Sequence, residues 1–441
     1  MQHLRRPLGA FAAFITAAGF LTVAVVATPK SAHAAEVRAA PASGAWTVDG
    51  HGNGHGHGLS QYGARGAAIA GLNYSKILAF YYPNTVLATS ASPNIRVLIS
   101  GDGGSTVWRS GAGQSVTGVS GALPTNGDQW RLVPRLAGYQ LQQHTGFGWN
   151  AYRNLTATTV DVRSSTGALS LSRNGAWAGY RGMLSAVRSG SGSMTVNTLN
   201  LESYLRGVVP SEMPASWQAA AVQAQAVAAR SYSRYFVVHP RDPSYDICDT
   251  TACQVYGGMS HEAAGSDAAI AATANRVLTY GGSVIFAEFS ASNGGMTSSG
   301  NQPYFVTKPD PYDNAASGDP YLNWTESVPV ARVAAAYNLD SVGQIQITAR
   351  EGGGQWGGLV KTAVVNGVRN GTATSIDVTG AGLASAMGLS YRFFYIRPFA
   401  PRGHVDSTSR PALHTVRVTG WTLDANDSSR PTPVDLELDG V

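Results

Sequence analysis

An α+β fold, with a central helical segment between β-rich regions, is what this 441-residue sequence predicts. Three observations point to it. From Ile95 to about Val196, short runs rich in β-branched and aromatic residues are separated by turn residues. Residues 200–236 change to apolar positions at helical spacing. Beyond about 275 short strand and helix patterns alternate, and a last β-like stretch at 408–441 reads as the start of an accessory β module or a packed arm.

The chain opens like an export signal: Arg5 and Arg6, an apolar run from Phe11 to Ala27, and a small-residue exit at Ala32-His33-Ala34. Residues 1–34 are therefore expected to be a cleaved signal peptide and the protein to be secreted or cell-wall associated. Residues 35–50, rich in Ala, Pro and Gly, read as a flexible lead-in. Next comes the glycine-dense loop His51-Gly-Asn-Gly-His-Gly-His-Gly-Leu-Ser-Gln-Tyr-Gly63, followed by two short helical pieces to Tyr82. Residues 51–90 are expected to pack on a main domain spanning 91–400.

Within that domain, strands are expected at Ile95–Ile99, Ser105–Trp108, Trp130–Val133, Tyr139–Gln142, Thr159–Val162 and Ser193–Val196. Asn200 can cap a helix that Pro210 should stop, since proline lacks the donor for the next turn. A second helix runs from near Ser216 to about Phe236, which leaves Glu212 in the joint between the two. A helix at Ala264–Asn275, strands at Val277–Thr279 and Ile285–Phe289 around a Gly281-Gly282 turn, and a polar loop Ser290–Thr297 come next. Helices at Val330–Tyr337 and Ala381–Met387 and strands at Gly343–Thr348, Ser375–Val378 and Arg392–Ile396 complete the domain.

Formal charge is +5, and removing Arg5, Arg6 and Lys30 with the leader lowers it by three to +2. That balance gives no reason to invoke a nucleic-acid partner. Only 13% of residues are charged, and neutral polar residues abound, a surface compatible with carbohydrate.

Glu212 is the candidate for chemistry. Pro210 and Pro214 fix its backbone, and Met213 and Trp217 supply an apolar setting in which a carboxyl group can keep its proton and act as a general acid. A cap or ion-pair role is the ordinary alternative. Arg230, Tyr232, Gln254 and Tyr256 would suit the lining of a sugar groove, as would Ser290, Ser292 and Asn293, although each type also serves in packing. Cys248 and Cys253 favour a local disulfide in an exported chain. A zinc site with His239 is the alternative, and the two thiols and one imidazole fall one ligand short of a structural site. His51, His55 and His57, alternating with glycines, resemble a metal-binding tract.

The ordered set Leu201–Met213, Gln223–Tyr232, Cys248–Gly257 and Ser292–Thr297 resembles the stage II sporulation protein D (SpoIID)/LytB family over about 95–396. The resemblance implies a mixed SpoIID-like domain acting on peptidoglycan glycan strands. It implies either a lytic transglycosylase, with the family's catalytic glutamate at Glu212, or an enhancer of a cell-wall amidase, which would be a partner. No cofactor is required, though some members hold zinc, here through His239, Cys248 and Cys253. The Gly54–Gly63 motif, C-terminal in typical members, precedes the domain here as in a permuted chain. His57, Ser60 and Gln61 are therefore expected to enter the Glu212 groove as substrate-binding residues. The absence of an evident second acid favours intramolecular ring closure over hydrolysis.

Overall fold

The computed structural model describes residues 36–41, 43–398, 402–412 and 415–423, the last two stretches by their backbone. The leader and residues 424–441 lie outside them.

Two six-stranded sheets form the β-rich region. One has the order Gly148–Leu155, Tyr139–Thr145, Gln129–Pro134, Thr106–Arg109, Ala168–Arg173, Ala176–Arg181, all antiparallel. The other runs Ile247–Cys248, Asn94–Ile99, Gly192–Asn200, Met183–Ser189, Thr159–Ser164, Gln114–Val116, antiparallel except for its first pair. Inward residues at a period of two, such as Ile95, Val97 and Ile99, or Trp130 and Leu132, put one face of each strand into a common core. All six strands expected between 95 and 196 are present. The strands at 148–155, 168–173 and 176–181, rich in Gly, Asn, Ser and Arg, carry a weaker pattern and escape a propensity reading.

Helices α1 (Gln61–Ile69), α2 (Tyr74–Tyr81), α3 (Leu201–Glu212), α4 (Ala219–Val238) and α5 (Ala264–Ala272) pack into the same core, with α4 touching each of the other four. Asn200 caps α3 by accepting the Glu202 N–H, as expected. Pro210 does not stop the helix. It lies in the last turn, where Tyr204, Leu205, Val208 and Val209 are buried and tertiary packing outweighs one lost hydrogen bond. Glu212 is thus the final residue of α3 rather than a joint residue.

A second core is built on Trp46, Val48, Ile345, Val365, Leu383 and Phe394. It lies among the four-stranded sheet of Glu36–Ala39, Ser341–Arg350, Val360–Arg369 and Thr372–Thr379, the three-stranded sheet of Trp324–Pro329, Ala45–His51 and Phe393–Ile396, and helices α6 (Val330–Ala336) and α7 (Gly380–Met387). The expected flexible lead-in is instead regular structure: Glu36–Ala39 is a strand, Ala45–His51 is the central strand of three, and Trp46 and Val48 are buried. The alternation of those two apolar residues is a strand signal within an otherwise Ala/Gly/Pro-rich stretch. Strands Arg402–Ala412 and Thr415–Leu423 pair as an antiparallel hairpin.

Ile285–Phe289 is not one strand. The chain pairs at Ser283–Val284, loses the ladder, then pairs again at Phe289–Ser290, in parallel with Leu59–Ser60. With the Asn53–Ser292 bridge, this pairing clasps the N-terminal glycine-histidine loop to residues 289–292. Gly54 (φ +114°) must be glycine, because a Cβ there would lie 2.5 Å from Ser290 Cβ.

Candidate functional site

The clasp forms one wall of a cavity of about 540 Å³. Asn53, Gly54 and His55 come from the N-terminal loop, Phe286 and Glu288 to Ala291 from the irregular segment, and Thr251 to Cys253 and Val255 from the cysteine loop. Tyr232 comes from α4, and Arg241 from the loop just beyond that helix. Glu212 reaches the cavity from the end of α3. Its Oε1 accepts the Val255 N–H at 2.8 Å, and among the described residues its carboxyl group makes no other hydrogen bond. Burial raises the Glu212 pKa, while the Val255 bond pulls the other way. A carboxyl group held at one oxygen, with its acidity weakened beside a cavity, is equipped to give up and take back a proton there.

The cysteine loop is fixed on both sides. Cys248 and Cys253 are joined by a disulfide, so neither offers a thiolate to a metal, and His239 stacks on Tyr235 while its Nδ1 contacts the Tyr235 carbonyl. Asp246 pairs with Arg96 at 2.6 Å and Asp249 with Arg173 at 2.7 Å, anchoring the loop to the sheets.

The residues expected to line the groove divide. Tyr232 lines it, stacked on Phe286, and Ser290 lines it while its Oγ accepts the Gly56 N–H. Arg230 does not: it is 1% exposed, it binds Glu202 through Nε and Nη2 at 2.8 Å each, and it reaches the carbonyls of Ala226, Ile270 and Arg276. Gln254 is buried against Ser233 and Tyr204, and Tyr256 donates to Asn197 in the core. Arg230 belongs to packing because α4 is enclosed nearly all round, with alanines on most of its faces, and Gln254 and Tyr256 pack against α4 and α3 respectively.

In the N-terminal loop His55, rather than His57, faces the Glu212 cavity. His57 stacks on Phe305, its Nδ1 lies 3.0 Å from Glu288 Oε2, and it lines a smaller cavity of about 300 Å³ with His55. Ser60 caps α1 through the Gly63 N–H and donates to Asp313, and Gln61 begins that helix, buried. Ser292 donates to Asp313 and Asp319, and Asn293 to Asp310, so both build the loop behind the cavity wall. His51 lies elsewhere, bonded to the Leu322 carbonyl and Gln355.

Glu288, a second carboxylate in the cavity, and Arg241, a cation there, are the residues that sequence reasoning passed over. Glu288 sits inside the apolar run Ile285–Phe289, where an isolated charge in a strand-like pattern was the available signal. With two acids at the cavity, ring closure no longer follows from a lone one.

Residues 189–280, which include Glu212 and Val255, match the SpoIID family, described as stage II sporulation protein. That segment carries a SpoIID-family domain. The SpoIID-type chain is 42% identical over 127 residues to the amidase enhancer of Bacillus subtilis (strain 168), covering 27% of this chain and 16% of that protein. It is 35% identical over 199 residues to stage II sporulation protein D of Bacillus amyloliquefaciens, covering 39% of this chain and 55% of the relative. Against stage II sporulation protein D of B. subtilis (strain 168) the figures are 30% over 201 residues, 40% and 56%. The matches thus span about half or less of these relatives. The SpoIID match over residues 189–280 and the names of these relatives support a role connected with the cell wall.

Proposed function

We propose that this protein cleaves peptidoglycan glycan strands at the β-1,4 bond between N-acetylmuramic acid and N-acetylglucosamine, outside the cytoplasm, with Glu212 as acid and base. The observation that carries the reading is a half-buried carboxyl group of raised pKa held at the edge of a cavity of about 540 Å³ with aromatic walls. In this reading Glu212 protonates the glycosidic oxygen as the bond breaks. As a carboxylate it then takes the proton of the muramoyl 6-hydroxyl, which attacks the anomeric carbon and closes a 1,6-anhydro ring. Tyr232, Phe286 and Phe289 offer faces for the sugar rings, and Arg241 and Ser290 offer donors to polar substituents.

Glu288 gives hydrolysis the second carboxylate it ordinarily uses, so the products have to separate the two routes. Peptide-free glycan strands are incubated with the protein and with Glu212→Gln in H2(18)O. Ring closure gives anhydro ends without label, and hydrolysis gives reducing ends carrying 18O. Glu212→Gln is expected to lose either product, and cleavage undiminished by that change would overturn the role of Glu212.

The second reading is a non-catalytic glycan-binding module that enhances a cell-wall amidase, favoured by the 42% identity to a protein named amidase enhancer. It predicts glycan binding without products, and a higher amidase rate when both proteins are present.

A further inference from the structure

The glycine-histidine loop brings together three groups that the proposed ring closure at Glu212 does not use. Ligand atoms of His55, His57 and Glu288 all lie within 4.8 Å of one another, the one such trio of His, Cys, Asp or Glu among the described residues. We propose that His55, His57 and Glu288 bind a zinc-class divalent cation.

The spacing of the three groups suits such an ion. Ligands about 2.1 Å from a tetrahedral zinc stand roughly 3.4 Å apart. His57 Nδ1 and Glu288 Oε2 are already 3.0 Å apart, near one edge of such a tetrahedron. His55 Nδ1 accepts the His57 backbone N–H at 3.0 Å, a bond that orients the ring and that a metal bound at this nitrogen would replace. The three ligand atoms lie within 4.8 Å of one another, so closing on an ion requires the His55 ring and the Glu288 carboxylate to turn inward.

The donor types select the metal. Two imidazoles and one carboxylate suit zinc and its first-row neighbours, whereas magnesium and calcium take oxygen ligands. The ring of His57 is held by its stack on Phe305, and the loop is held by the parallel pairing of Leu59–Ser60 with Phe289–Ser290 next to the trio. Three protein ligands leave a position for water or substrate, and His55 and Glu288 both line the Glu212 cavity, so the ion would stand in its wall.

Binding is measured with zinc alone, without glycan, so its outcome is independent of whether the protein cleaves strands. Metal-stripped protein is titrated with Zn2+ against a chromophoric chelator under non-reducing conditions, with Mg2+ as a control. One zinc per chain is expected, with affinity reduced at least about 100-fold in His57→Gln and in Glu288→Gln, beyond the roughly 10–100-fold that loss of an outer-sphere partner costs. Circular dichroism checks that the variants are folded. X-ray absorption at the zinc edge of the unaltered protein, which needs no variant, is expected to report imidazole and oxygen neighbours. Absence of stoichiometric binding, affinity unchanged in both variants, or sulfur among the zinc neighbours would overturn the site.

Discussion

Arg230→Met tests whether α4 presents its arginine to a ligand or uses it to tie the core together. In the fold Arg230 is 1% exposed and the Glu202 side chain 25% exposed, and the two are joined by hydrogen bonds of 2.8 Å at both carboxylate oxygens. The same guanidinium reaches carbonyls of α4, α5 and the strand that begins at Arg276. Removing one member of a buried ion pair costs about 3–5 kcal/mol. Glu202 retains contact with water and with Ser92 Oγ and the Asn275 N–H, and methionine restores much of the packing, so a loss of about 2–3 kcal/mol is expected here. Urea unfolding followed by tryptophan fluorescence measures it, and glycan affinity is determined separately well below the transition. Stability should fall while affinity per folded molecule stays the same. A variant within about 0.5 kcal/mol of the unaltered protein that binds glycan tenfold more weakly would refute the reasoning and return Arg230 to the groove. The acid limb offers a second check. Burial pushes the Glu202 pKa up, but the bonds from Arg230, Ser92 and Asn275 bring it below the ordinary value. The pair's stabilisation is therefore present above the unfolded pKa of about 4.3 and is lost as pH falls through the folded one, and Arg230→Met should remove that dependence.

Glu212, with its pKa raised, favours the protonated fold, so its contribution to stability declines as pH rises from the unfolded value through the folded one; Glu212→Gln should become more stable relative to the unaltered protein over that window, as thermal denaturation across pH will show. Reducing the Cys248–Cys253 bond, which closes a short loop, should cost about 2 kcal/mol and loosen the Val255 N–H that holds Glu212, measured as a lower denaturation midpoint and a changed pH profile of cleavage. Burial and the nearby charges of Asp319 and Asp310 push Asp313 up to about 8, so the fold should lose stability from about pH 4 to pH 8, and Asp313→Asn should flatten that decline in a urea series.

Much of this was legible in the sequence because it depends on local pattern. Asn200 as a cap, the alternation from Ile95 to Ile99, and an acid set against apolar residues after Pro210 are all readable from neighbours in the chain. Gly281-Gly282, with φ of +56° and +82°, forms the expected turn. What escaped depends on contacts between distant residues. Arg230 looks like a surface cation until Glu202, 28 positions earlier, is found across the helix pair. His55 and His57 share a motif with identical neighbours, and only the pairing with 289–292 sends one toward Glu212 and the other toward Glu288 and Phe305. Trp46 and Val48 were diluted by the small residues around them, and their burial requires strands more than 270 positions away.

The clasp between residues 53–60 and 289–292 also bears on how the site comes into being. Loop closure over some 230 residues is slow relative to local helix or hairpin formation. During synthesis the histidine segment emerges early and must wait for its partner strand while the two six-stranded sheets assemble. The acid and its Val255 anchor both fall inside 189–280, whereas Asn53 to His55 and Phe286 to Ala291 fall outside it. An excised fragment limited to that span would keep Glu212 but lose the chamber, so a minimal version that retains the proposed cleavage has to carry both distant flanks.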